Sequence, residues 1–218
     1  MISKILFSVL LCTLVLGVIS EIEVIDGKIK ITTLTTAGCV HTVNFISNQL
    51  APTYALYEQY LDVEFLPWGR TIKYDNGTFY CQFSPNNCWA NRLHRCVLNF
   101  LRDNQAAQVR YMDCEFSVPQ PAFQNSSYSC VQNEGLSLID VDYCVRNPDL
   151  DDLDAIAEEA SRPAMDPETG INGLPAVVIN GIIDVELSRQ ARANLRGLVC
   201  TALANSGVTN ISISSCGN

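Results

Sequence analysis

Positive charge is scarce in this chain: 14 Lys and Arg stand against 23 Asp and Glu, for a net charge of −9. That balance argues against nucleic acid or an anionic membrane surface as a partner. Histidine is scarcer still, with only His41 and His94. Zinc binding therefore has little support, and no Ser-His-Asp order or glycine-rich phosphate loop is apparent, so neither a metal nor a bound cofactor is expected. Beyond residue 20 no stretch approaches the roughly 18–20 apolar residues of a spanning helix, so membrane insertion is not expected. One further absence is local. Three residues after Cys39, in Gly38-Cys39-Val40-His41-Thr42, the chain has Thr42 and not a second cysteine.

What is present begins with a targeting signal in residues 1–20. Lys4 supplies its positive start, Ile5 to Val18 its apolar stretch, and Val18-Ile19-Ser20 a small-residue cleavage site. Cys12 leaves with that signal, so nine of the ten cysteines remain in 21–218. An odd number in a secreted chain flags one thiol with a separate role. Taking Cys39 as that thiol leaves Cys81, Cys88, Cys96, Cys114, Cys130, Cys144, Cys200 and Cys216 to bridge, in pairings the sequence leaves open. Sequons at Asn76, Asn125 and Asn210 agree with secretory passage and glycosylation. The expected location is extracellular or lysosomal. The acidic run Asp149, Asp151, Asp152, Asp154, Glu158 and Glu159 reads as a solvated helix face, since its spacing does not fit a calcium loop.

The periodicities predict a strand over 28–35 and an amphipathic helix over 41–60, kinked or split at Pro52. A strand over 61–66 and a hairpin turning at Asp75-Asn76-Gly77 follow. A helix over 87–101 has Leu93, Cys96, Val97, Phe100 and Leu101 on its inner face. Val109 to Met112 reads as a strand, and the stretch to Asn133 as loop-rich, with Pro119 and Pro121. Helical pieces are expected near 138–145 and 150–160. Leu174 to Asn180 reads as a strand turning at Asn180-Gly181 into a further one at Ile182-Ile183, before a helix over 188–204 capped by Ser188. The outer pieces, about 28–80 and 172–204, would form one sheet-centred domain within 21–218, with 81–171 as a helical insertion.

Cys39 falls between a strand and a helix, where unpaired amides and the helix dipole favour a thiolate. His41, when protonated, and the Thr42 hydroxyl are candidate stabilisers of the sulfur. Pro175, entering the later strand, is expected to be cis and to border the cleft that receives substrate. An ordinary bridge at Cys39 is the competing reading. His94 is expected at the surface or in packing.

The run from Cys81 to Cys96, with Gln82, Cys88 and Asn91 between, resembles the signature C-Q-H-G-x-x-E-C-x-x-N-x-x-x-x-C of the gamma-interferon-inducible lysosomal thiol reductase family. Phe83, Ser84 and Asn87 stand where that signature has His, Gly and Glu. Pro67-Trp68-Gly69-Arg70 and Leu174-Pro175 also resemble family segments. The resemblance implies an α/β fold with a thioredoxin-like sheet flanked by helices and a disulfide-rich helical insertion. It further implies reduction of disulfides in protein substrates by a C-x-x-C pair at the positions of Cys39 and Thr42.

Without a thiol at position 42 a mixed disulfide on Cys39 persists until an outside thiol such as glutathione attacks it. Dithiol reductase activity is then weak or absent. Two alternatives stay open: a non-catalytic secreted member that binds a protein partner through a mixed disulfide at Cys39, and a structural glycoprotein with an inert thiol. The oligomeric state is not legible.

Overall fold

The computed structural model describes residues 22–147, 152–208 and 216. The expected signal over 1–20, the sequon at Asn210 and the acidic residues Asp149 and Asp151 lie outside the described residues.

β-branched residues fill β1 (Ile29–Thr35), which alternates at its start and is continuously buried at its end. That is the pattern of a central strand. The crossover that follows runs through α1 (Val40–Phe45), a π-helical turn (Ile46–Leu50), α2 (Ala51–Tyr57) and a 3₁₀ turn (Glu58–Tyr60). The predicted helix is therefore divided. Pro52 sits in the first turn of α2, where a missing N–H costs little. The crossover returns the chain to β2 (Leu61–Pro67), parallel to β1. β3 (Ile72–Lys73) and β4 (Phe79–Tyr80) form the predicted hairpin, with Gly77 at φ +79° in its turn.

Among the described residues, six helices make the insertion: α3 (Pro85–Phe100), α4 (Gln105–Glu115), α5 (Pro121–Asn125), α6 (Ser129–Asn133), α7 (Leu138–Arg146) and α8 (Leu153–Met165). β5 (Ala176–Ile179) and α9 (Val185–Asn205) close the core. β5 pairs antiparallel with β1, so the sheet order is β2-β1-β5. Side chains alternate along a strand. Ile29 and Ile31 thus enter the main core with Val43, Ile46, Leu195 and Val199, while Leu34 packs on the other side with Leu66, Ala164, Ile171 and Val178. The architecture is a thioredoxin-like sheet flanked by helices, carrying a disulfide-rich helical insertion.

Three bridges staple the insertion. Cys81–Cys88 ties the end of the hairpin to α3, Cys96–Cys144 ties α3 to α7, and Cys114–Cys130 ties α4 to α6. Cys200–Cys216 holds the following segment to α9. Polar contacts then seat the insertion on the core. Gln105 accepts from the Val63 N–H at 2.6 Å and donates to the Leu61 carbonyl, so two backbone groups on the open edge of β2 are satisfied.

Several expectations are corrected. Val109 to Met112 is helix and not strand: the Asn104 side chain caps α4 by accepting from the Ala107 N–H, and Ala107, Val109, Tyr111 and Met112 are buried on it. Phe100 is exposed rather than inward. The strand expected at Ile182-Ile183 is reduced, among the described residues, to one bridge between Ile179 and Ile182. Asp184, not Ser188, caps α9 by accepting from the Leu187 N–H, whereas Ser188 is buried and accepts from the Val177 N–H at 3.0 Å. The acidic run is not wholly solvated. Asp154 is buried and paired with Arg92 and Arg95.

Candidate functional site

Cys39 is the N-cap residue of α1, in extended backbone, and its carbonyl accepts from the Val43 N–H. Its side chain makes no capping hydrogen bond and instead points its thiol to the Leu174 carbonyl, with Sγ 4.0 Å from that oxygen. The other described cysteines are bridged; Cys39 is free and buried. Register explains the approach of Leu174. Leu34 pairs with Ala176 in the antiparallel ladder, so continuing two residues brings Leu174 beside Thr36. The Leu174–Pro175 peptide is cis.

The other two candidates near the sulfur fare differently from expectation. Thr42 is fully buried and its hydroxyl has no hydrogen-bond partner, so it does not donate to Cys39. His41 is exposed, and no ion pair or hydrogen bond among the described residues connects it with Cys39. The structure thus brings together Cys39 and the Leu174–Pro175 peptide, with Thr42 inside the fold beneath them and His41 outside.

The loop before Cys39 is held by side chains that sequence reasoning missed. Asn91 accepts from the Ala37 N–H at 2.9 Å and donates to the Thr36 hydroxyl at 3.2 Å. Asn87 donates to the Thr36 hydroxyl at 2.9 Å and to the Ala37 carbonyl at 2.7 Å. Gln120 accepts from the Gly38 N–H at 2.9 Å. Gly38 has φ +84°, and a Cβ there would lie 2.6 Å from the Phe123 ring, so two independent constraints require glycine. The only sequence signal was that Asn87 and Asn91 lie one helical turn apart within the cysteine-spaced run. Gln120, more than eighty positions downstream, gave none.

The Pro67-Trp68-Gly69-Arg70 turn supports the same loop. Gly69, at φ +62°, packs so closely that a Cβ would come within 2.5 Å of Thr36. The Arg95 guanidinium lies 5.2 Å from the centre of the buried Trp68 ring and donates to the Pro67 carbonyl at 2.6 Å. Burial opposes ionisation of Asp154, but Arg95 and Arg92 outweigh it and hold the carboxyl below its ordinary value. His94, buried rather than superficial, packs edge-on to Tyr111 and Phe116 with Nε2 3.5 Å from the Glu115 carboxylate. Burial, and then the charge of Glu115, raises the Tyr111 hydroxyl well above its ordinary value.

Of the sequons, Asn76 is exposed in the hairpin turn and Asn125 is exposed at the end of α5. No group of three or more His, Cys, Asp or Glu among the described residues could hold a metal, and no helix of the described residues is long and apolar enough to cross a membrane.

The model for the gamma interferon inducible lysosomal thiol reductase family matches residues 30–134. GILT-like protein 1 of Drosophila melanogaster is 21% identical over 194 residues, covering 80% of this chain and 74% of that protein. A gamma-interferon-inducible lysosomal thiol reductase of Carassius auratus is 23% identical over 176 residues, covering 75% of this chain and 64% of that protein, so the match spans less than two thirds of its length. Among solved structures, a thioredoxin-like oxidoreductase from Silicibacter pomeroyi aligns at TM-score 0.49 with 9% identity over 76% of this chain and 85% of that one. Reduced DsbA from Mycobacterium tuberculosis aligns at TM-score 0.47 with 13% identity over 84% and 94%. The matched stretch holds Cys39, the Pro67–Arg70 turn and the cysteine run whose asparagines grip the loop before Cys39, and over that stretch the chain is similar to the gamma interferon inducible lysosomal thiol reductase family.

Proposed function

We propose that this protein carries out the capture half of thiol–disulfide exchange on protein disulfides and relies on an external thiol for release. In the capture step the Cys39 thiolate attacks one sulfur of a substrate disulfide. A new S–S bond joins Cys39 to that sulfur, the old S–S bond breaks, and the other substrate sulfur leaves as a thiolate that takes up a proton. An intramolecular second thiol would complete reduction quickly. Thr42 occupies its sequence position, and a hydroxyl neither forms an S–S bond nor ionises comparably. Release then requires a thiol such as glutathione: its thiolate attacks the substrate sulfur of the mixed disulfide, a glutathione–substrate disulfide forms, the bond to Cys39 breaks, and Cys39 leaves as a thiolate. Dithiol reductase activity is accordingly weak or absent.

The observation carrying this reading is the free Cys39 beside Leu174 and Pro175, in a chain whose other described cysteines are bridged. The setting we infer is secretory: a signal over 1–20, glycans at Asn76, Asn125 and Asn210, and delivery to a lysosome or outside the cell. The burial of Cys39 favours a second reading of the same step, stoichiometric capture of one protein partner.

Turnover of a peptide disulfide with and without glutathione tests the proposal. Glutathione-dependent turnover that Cys39→Ser abolishes supports it, and an accumulating mixed disulfide without turnover selects the second reading. A Cys39 that exchanges with no disulfide contradicts both.

A further inference from the structure

We propose that Asn87, Asn91 and Gln120 are positioning residues for exchange at Cys39, acting through the Thr36–Gly38 loop and not by touching the reacting sulfurs. The inference rests on the reading of Cys39 as an exchanging thiol. The loop links the end of β1 to the start of α1, and its polar groups cannot be served by either element. Insertion side chains serve them. The Ala37 N–H goes to Asn91, the Gly38 N–H to Gln120, and the Ala37 carbonyl to Asn87, while Thr36 Oγ1 takes both asparagine amides. Cys39 itself donates its N–H to the Thr36 carbonyl at 3.3 Å. The backbone from Thr36 to Cys39 is thus fixed by three side chains that are all buried.

This matters for displacement at sulfur because the attacking thiolate must lie in line with the S–S bond that breaks. A thiolate that swings off line loses rate without losing acidity. Misplacement by about 1 Å can cost on the order of a hundredfold in rate. Alkylation by a small freely oriented reagent has no such demand. The proposal therefore separates the two chemistries: removing a clamp contact slows exchange with a peptide disulfide far more than it slows alkylation by iodoacetamide.

Asn87 departs from the carboxylate that the family signature carries at this position, and the departure fits the clamp. Its amide donates to the Thr36 hydroxyl and the Ala37 carbonyl; an ionised carboxylate there could accept from the hydroxyl but would face the carbonyl without a proton to give. Gln120 reaches the loop from the far side, at the N-cap of α5, whose Phe123 packs over Gly38.

The experiment compares Gln120→Ala, Gln120→Glu and Asn91→Ala with the unaltered protein. Rates of mixed-disulfide formation with a cystine-containing peptide and of iodoacetamide alkylation are measured across pH, with thermal melting in parallel. We expect Gln120→Ala and Asn91→Ala to lower the disulfide rate by about tenfold or more relative to alkylation, with the midpoints of the pH profiles unmoved. Gln120→Glu keeps an acceptor for the Gly38 N–H and should restore most of the rate. Equal losses in both chemistries, or a lowered melting point with an unchanged rate ratio, would overturn the inference. Should Asn91→Ala not fold, the Gln120 pair decides by itself. Lack of exchange by the unaltered protein would overturn the functional reading instead, and this inference with it.

Discussion

The sheet-centred core and the helical insertion share one apolar cluster, but the insertion adds bridges and buried charged groups to it. In the core, Ile29, Ile31, Leu61, Leu195 and Val199 are fully buried against one another, each worth roughly 1.5–3 kcal/mol. The insertion shares that apolar core through Leu93, Val97, Met112 and Phe116, and adds three bridges and a set of buried polar groups: Arg92 and Arg95 on Asp154, His94 beside Glu115, and the two asparagines on the loop before Cys39. Aliphatic packing is non-directional and tolerates exchange of one residue for another of like volume. Hydrogen-bonded groups are directional, and leaving one unpaired is costly. The core can therefore present Cys39 in general terms, while the insertion sets where its sulfur stands.

Cutting the covalent staples is the largest way to break this comparison. Replacing Cys96 and Cys144 by serine opens a separation of 48 residues and should cost about 4 kcal/mol in urea unfolding. If that loss leaves core and insertion melting together, the two are one cooperative unit and the contrast is only one of composition.

Asp154→Asn comes next. It leaves two arginines facing a neutral amide in a buried site, at a cost of about 3 kcal/mol. The native carboxyl lies below its ordinary value of 3.8, so its stabilisation is present above that value and lost as pH falls through the lower one. Acid titration of the native protein should show this loss, and the Asn variant should not.

Thr42→Cys sharpens the chemistry. The site is buried and its present hydroxyl is unpaired, so a thiol introduces no new unsatisfied strong donor. In a single turnover, the pre-reduced variant should reduce a substrate disulfide about a hundredfold faster, ending with an internal disulfide that an added reductant must reopen. No gain would mean that the cleft, and not only the missing sulfur, has diverged.

The smallest expected effect is in the core. Ser188→Ala removes the acceptor of the Val177 N–H and should cost about 1 kcal/mol, read as a lower urea midpoint with activity unchanged.

The contrast also explains what could be read from the sequence. Repeating apolar and β-branched patterns marked β1, β2 and the divided helix after Cys39, because burial of a face leaves a period. Cys39 and Pro175 were legible as candidates from element order, and the fold sets them side by side. Val109 to Met112 was misread because a short run of Val, Tyr and Met looks alike in strand and helix, and the cap at Asn104 decides it. Ser188 was misassigned because a serine near a helix start is ambiguous until Asp184 is seen to accept from Leu187. Thr42 and His41 were placed near the sulfur by spacing alone, which does not fix where a hydroxyl or an imidazole turns. The clamp residues left no period at all. Their partners are fifty or more positions away, and only the folded insertion brings them to the loop.

The central claim is that one lone sulfur captures disulfides and nothing in the chain releases them. Native protein treated with an aromatic disulfide reagent, whose freed thiolate absorbs visible light, tests it most directly. The account predicts one equivalent of freed thiolate per chain and a stable adduct that peptide mapping assigns to Cys39. Two equivalents, or none, would contradict it.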